Sequence, residues 1–166
     1  VARGTAHHKF LQYCNFEQAR ASLDTEFDRL LNDGKLTQEQ VDMIDRKTLN
    51  EFLSTKLIDR IIASQLVMRE KRFTARLKPS EVFDEYKNVE TDATVIIQGA
   101  VDLAFVEDRK LVIVDYKTDR VKDIAKLADL YKKQLDLYKS AMEQSEELTV
   151  KECILCSIHL GSYITV

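Results

Sequence analysis

Residues 99–117 run Gly99-Ala-Val-Asp102-Leu-Ala-Phe-Val-Glu-Asp-Arg-Lys-Leu-Val-Ile-Val-Asp115-Tyr-Lys117, an apolar, β-branched stretch with acids set into it. This composition favours two strands joined by a short polar turn. A two-residue turn at Asp108-Arg109 pairs Glu107 with Lys110 and, stepping inward, brings Asp102 level with Asp115. Directly opposed residues hold their Cβ atoms roughly 5 Å apart. Two carboxylates at that spacing in an apolar sheet repel unless a proton or a cation lies between them. A hard divalent cation, which takes oxygen ligands, meets the need. Alternation along the strand puts Lys117 on the face of Asp115 and turns Tyr116 away. Two acids and a lysine beside a metal can carry out phosphodiester chemistry.

The rest of the chain supplies the scaffold. Residues 1–65 read as helical. One helix runs from Gly4-Thr5 to about Cys14, and a second from about Glu17 to Asn32 carries Leu23, Phe27, Leu30 and Leu31 at helical spacing. Gly34 fits a left-handed terminator. Thr37 and Gln40 fit a capping box that opens a long helix reaching Ser64. From Leu66 the pattern alternates as a strand to Leu77, and Pro79 closes it. Residues 78–92 read as a polar, irregular loop. A helix over 123–144 and strands over 150–160 and 163–166, joined at Gly161, complete the order. Helices, three strands, a helix and one or two strands make an α/β fold, a mixed central β-sheet flanked by helices. The long helix between the hairpin and the last strands can return the chain for a parallel pairing. We expect a single domain over 1–166, with a helical section (1–65) and a sheet-containing core (66–166).

Composition narrows the function. The chain has 45% hydrophobic and 32% charged residues, an ordinary globular balance. No apolar run approaches the ~20 residues of a membrane span, and no signal-peptide pattern is present, so no membrane partner is expected. The start at Val1 suggests a piece of a longer polypeptide. Three cysteines suit a reducing, cytoplasmic setting. Cys153 and Cys156 fall on opposite faces of a strand and supply too few ligands for zinc. The net charge of −3 gives no global attraction for nucleic acid. Arg109, Lys110, Lys117, Arg120, Lys122, Lys126, Lys132 and Lys133 nevertheless concentrate near the proposed site, a local basic cluster of the kind that suits a single strand.

The other polar candidates read less sharply. His7 and His8 point about 100° apart on a helix, so at most one faces a site. His159 stands alone and reads as structural. Gln134 and Tyr138 share a helical face, either as ordinary surface or as a pair that braces the lysine or reaches a DNA backbone. Glu70 is either a further acid near the metal or, the simpler reading, a partner of Arg69, Lys71 or Arg72.

Together these segments resemble the PD-(D/E)XK nucleases, and more narrowly their RecB-like branch. Gly99-Ala-Val-Asp102 and Ile113-Val-Asp115-Tyr-Lys117 match the core. Gly4-Thr-Ala-His-His8 matches an upstream G-x-x-x-H motif, and Gln134-Leu-Asp-Leu-Tyr138 a downstream Q-x-x-x-Y motif. Arg69-Glu-Lys-Arg-Phe73 resembles R-E-x-P-F, with Arg72 in place of proline. More narrowly still, these segments resemble AddA-type (RexA) nuclease domains of bacterial AddAB helicase–nucleases. The resemblance implies a restriction-endonuclease-like core and a metal-dependent deoxyribonuclease acting on single-stranded DNA from unwound ends during double-strand break repair. It implies His8, Asp102, Asp115 and the Tyr116 carbonyl as ligands of Mg²⁺ or Mn²⁺, Lys117 as the catalytic lysine, and Gln134 and Tyr138 as support or DNA contacts. The implied partners are a helicase region of the same polypeptide and an AddB-type (RexB-type) subunit, in the bacterial cytoplasm. Three cysteines do not supply the four of the family's iron–sulfur branches. The alternative is a catalytically silent module that keeps the fold and binds DNA or a partner subunit.

Overall fold

Short polar side chains decide where the helical section breaks. The computed structural model describes residues 1–166. Its first helix, α1, spans Ala2–Tyr13. The single helix expected over 17–32 is two, α2 (Phe16–Ala21) and α3 (Leu23–Asn32), because Ser22 is extended and its hydroxyl caps Thr25 N–H. The long helix expected from Thr37 is three: α4 (Gln38–Met43), α5 (Arg46–Leu53) and α6 (Lys56–Ala63). Asp45 interrupts it by capping Thr48 N–H, and Ser54-Thr55 make the second break. The capping box at Thr37 and Gln40 forms with both bonds, and Gly34 takes the left-handed conformation at φ 69°. Pro79 begins a short helix, α7 (Pro79–Val82), inside the segment read as loop.

Five strands form one sheet in sequence order: β1 (Val67–Leu77), β2 (Val95–Glu107), β3 (Lys110–Lys117), β4 (Val150–Ser157) and β5 (Ser162–Thr165). All neighbouring pairs are antiparallel except β3 with β4, which helix α8 (Ile124–Glu146) links as a parallel crossover. Helices α1 to α6 cover one face with the larger core, which includes Phe10, Phe27, Phe52 and, from the sheet, Leu103, Phe105, Val112 and Val114. Helix α8 covers the other face over Ala104, Leu111, Ile113 and Leu155. Cys153 and Cys156 do fall in different cores, and all three cysteines are free and buried.

The sheet contains one break. Val67 packs toward α1–α6 and Met68 toward α8, yet Phe73, Ala75 and Leu77 all face α8. In β2, Leu103 and Phe105 face α1–α6, whereas Val101 faces α8. Strict alternation forbids both patterns. It is reset at Glu70 and Asp102, the one opposed pair missing from an otherwise continuous β1–β2 register, where Glu70 has φ 46°. A left-handed non-glycine residue inside a strand costs on the order of 1–3 kcal/mol and persists only where its surroundings enforce it.

Arg69, next to the break, ties β1 to the end of α1. Its Nη1 donates to the carbonyls of Leu11 (3.1 Å), Gln12 (3.2 Å) and Cys14, and its guanidinium lies 4.5 Å from the Phe16 ring centroid. These carbonyls are the ones a helix end leaves unpaired. Arg69→Ala is expected to cost about 2–4 kcal/mol in urea unfolding, and Arg69→Lys to recover only part, because an ammonium cannot reproduce the fork.

Candidate active site

The β2–β3 hairpin turns at Asp108 (φ 52°) and Arg109 (φ 62°), the pair of left-handed residues a two-residue I′ turn needs. The register then runs from Glu107 opposite Lys110 to Leu103 opposite Val114, as expected. The next pair is Asp102 with Asp115, and there the ladder stops. Strand β2 leaves β3 at Asp102 but stays with β1. The Asp102 carboxylate occupies the fork, where Oδ2 accepts the Tyr116 N–H at 2.7 Å.

Asp115 lies inside this fork and is buried. Burial first, and the Asp102 charge second, push its carboxyl up to about 6. Lys117, two residues on and on the same face, places Nζ 3.0 Å from Asp115 Oδ2. That approach is off the angles of a hydrogen bond, which leaves Oδ2 buried with no hydrogen-bond partner. The ammonium is fixed from α8 instead: it donates to Gln134 Oε1 at 2.9 Å and lies 4.0 Å from the Tyr131 ring centroid. Gln134 therefore braces the lysine, one of the two functional readings open for it.

Helix α1 brings the imidazole of His8. Its Nδ1 is 3.0 Å from Gly4 O, and its Nε2 is 3.0 Å from Tyr116 O and 3.5 Å from Asp102 Oδ2. Both ring nitrogens therefore face acceptors, an arrangement that favours the protonated ring while no cation is bound. The Asp102 carboxylate is the main reason its pKa is raised, to about 9. His7 turns the other way and holds the Arg3 carbonyl and the Asp45 N–H.

Tyr116 offers the site its backbone N–H and carbonyl, and its ring meets the edge of the His8 imidazole at 6.1 Å between centroids. Its ring points into the larger core against Phe52, and its hydroxyl is buried without a partner. Tyr116→Phe removes an unsatisfied group and keeps the carbonyl. It is expected to raise the chain's unfolding free energy by about 1 kcal/mol in urea titration. DNA cleavage is expected to stay at the parental rate.

Tyr138 borders the site, with its ring 5.8 Å from that of Phe73. Burial, then the charges of Asp115, Asp102 and Glu70, raise its hydroxyl pKa. Glu70 itself corrects the simpler reading given to it. Arg69 serves α1, Lys71 pairs with Glu146 at 3.2 Å, and neither neutralises Glu70. The register sets Glu70 beside Asp102, and partial desolvation, then the Asp102 charge, raise the carboxyl of this largely exposed side chain. The signal lay in the β1–β2 pairing, which no local pattern states.

The basic cluster also needs correction. Arg109 and Lys110 sit at the hairpin turn, roughly 23 Å along β3 from Lys117. Lys132 pairs with Asp136 and Lys133 with Asp84. Proximity in sequence did not survive the length of a strand.

The donors suit a hard cation: carboxylates of Asp102 and Asp115, the Tyr116 carbonyl and one imidazole. Asp115 Oδ2 is buried without a hydrogen bond and meets only the Lys117 ammonium, at 3.0 Å. No three His, Cys, Asp or Glu side chains converge as a ligand group on their own. His8 Nε2 already faces Tyr116 O and Asp102 Oδ2, so loss of its proton would direct a lone pair at the ion those groups would hold.

The PD-(D/E)XK nuclease superfamily profile matches residues 1–160. The chain belongs to this superfamily. An ATP-dependent helicase/nuclease subunit from Clostridium botulinum (strain 657 / Type Ba4) is 32% identical over 167 residues, covering 99% of this chain and 13% of that protein. The Clostridium acetobutylicum protein of the same name is 29% identical over 171 residues, covering 99% and 14%. The chain thus spans a small part of these relatives. The crystal structure of SSO0001 aligns with a TM-score of 0.44 at 14% identity, covering 96% of this chain and 64% of that one. No helix is long and apolar enough to cross a membrane.

Proposed function

We propose that this nuclease-superfamily chain is a divalent-metal-dependent deoxyribonuclease that cuts single-stranded DNA. The observation that carries the reading is the fork at Asp102 and Asp115, with a buried carboxylate oxygen and an anchored ammonium 3.0 Å apart on one face. Asp102, Asp115, the Tyr116 carbonyl and His8 would hold Mg²⁺ or Mn²⁺. Such an ion, when bound, withdraws charge from a phosphate oxygen. Lys117 orients the attacking water and stabilises charge that develops on the phosphate. Gln134 fixes the ammonium, and Tyr138 supports the site and contacts the strand. Glu70 adds a third acid beside Asp102.

Relatives named as helicase/nuclease subunits support a single-stranded substrate unwound from duplex ends. They also support a helicase region in the same polypeptide, an AddB-type partner, a role in double-strand break repair and a cytoplasmic setting. The test is digestion of end-labelled single-stranded DNA by the chain. Cleavage is expected with Mg²⁺ or Mn²⁺ and none with EDTA. Equal cleavage in EDTA, or none with either cation, would overturn the reading.

A further inference from the structure

A cavity of about 290 Å³ opens beside the candidate active site, between the first turn of α1, helix α5 and the segments that follow β3 and β4. Arg3, His7, Thr48, Thr118, Arg120 and His159 line it, and no Asp or Glu does. Acids outnumber Lys and Arg 28 to 25 in the chain as a whole. A concave wall of nine residues with two arginines, two histidines and no acid departs from that balance.

The cavity and the site share a wall. Thr118 follows Lys117, and His7 precedes His8 on α1. Gly4, whose carbonyl holds the His8 ring, packs so close to Thr118 that a Cβ there would lie 2.9 Å from Oγ1. Arg120 lies three positions after Lys117, a reach of at most ~11 Å.

The donors are available. The arginines in ion pairs are Arg3, Arg20, Arg29, Arg46 and Arg60, so the exposed Arg120 has no carboxylate partner. Arg3 reaches Asp45 through one nitrogen at 3.5 Å, which leaves its other N–H groups free. His7 is satisfied at both nitrogens and fixes the first turn of α1, so it is wall and not ligand. Guanidinium forks match phosphate oxygens, and a threonine hydroxyl adds a neutral donor.

We propose that this cavity is a phosphate-binding subsite for the DNA strand, seating a backbone phosphate beside the one that is cut. It rests on the nuclease reading and adds a second point of contact. The subsite fixes where the strand lies, because phosphate contacts set register without reading bases.

The experiment is fluorescence anisotropy of a labelled single-stranded oligonucleotide in EDTA, across a salt series. It compares the parent, Arg120→Gln and Lys122→Gln, the last an exposed lysine outside the cavity. Arg120→Gln is expected to weaken binding about fivefold at low salt and to reduce the slope of log K against log salt by about 0.7. Lys122→Gln should match the parent. Equal affinity and slope for Arg120→Gln and the parent would overturn the subsite, as would a parent that binds no strand. Because binding is read without metal, a parent that binds but never cuts with Mg²⁺ defeats the nuclease reading separately.

Discussion

Lys117→Met is expected to slow cleavage of single-stranded DNA by about a thousandfold, close to 4 kcal/mol of barrier, with little change in Mn²⁺ affinity. Methionine keeps the length and apolar body of the side chain over the Tyr131 ring. It removes the charge that Gln134 Oε1 holds at 2.9 Å. The two carboxylates and the Tyr116 carbonyl stay in place, because Asp102 is fixed by the Tyr116 N–H and not by the lysine. Turnover at saturating DNA separates this from weaker binding, since an interaction used only in the transition state lowers kcat and kcat/KM together. Cleavage within tenfold of the parent would reduce Lys117 to a structural partner of Asp115. Gln134→Ala is then a graded control: it keeps the ammonium and loosens its position.

The hairpin was legible because its geometry is local. A two-residue turn and alternating apolar residues leave one register, and one step past its last pair, Leu103 with Val114, come Asp102 and Asp115. Two adjacent histidines could not both face the site, and only His8 does. Other features depended on distant partners. Ser22, Asp45 and Ser54-Thr55 sit in segments with strong helical periodicity, yet short polar side chains there bond the backbone and start new helices. The reset at Glu70 arises from two strands giving up alternation at the same level, which neither strand's sequence shows. Gln134 and Tyr138 have a spacing shared by many helix faces. Resemblance singled them out, and the Lys117 bond then gave Gln134 a physical task. The basic residues misled because a strand carries its two ends far apart.

Asp115→Asn is expected to make the metal-free chain more stable while abolishing cleavage. Burial and the Asp102 charge raise the Asp115 carboxyl from 3.8 to about 6. A group raised in the folded state contributes stability that is present below its unfolded pKa and lost as pH rises through the folded value. In EDTA the parent should therefore lose stability from about pH 4 to above pH 6. At pH 7.5 the ionised carboxylate then weighs against folding by on the order of 1–3 kcal/mol. Asparagine has nearly the same shape and no charge to desolvate. It gives up the 3.0 Å contact with Lys117, but that ammonium keeps Gln134 and the Tyr131 ring. Thermal unfolding in EDTA at pH 7.5 should place the variant about 5 °C above the parent, a gap that closes toward pH 4. Excess Mn²⁺ should reverse the order, because the parent gains the larger binding free energy, about 4.1 kcal/mol at a thousandfold excess over Kd. A variant less stable than the parent in EDTA would mean that the carboxylate serves to anchor Lys117. The same acid pair that costs the empty fold stability is then the part that gives a cation something to bind.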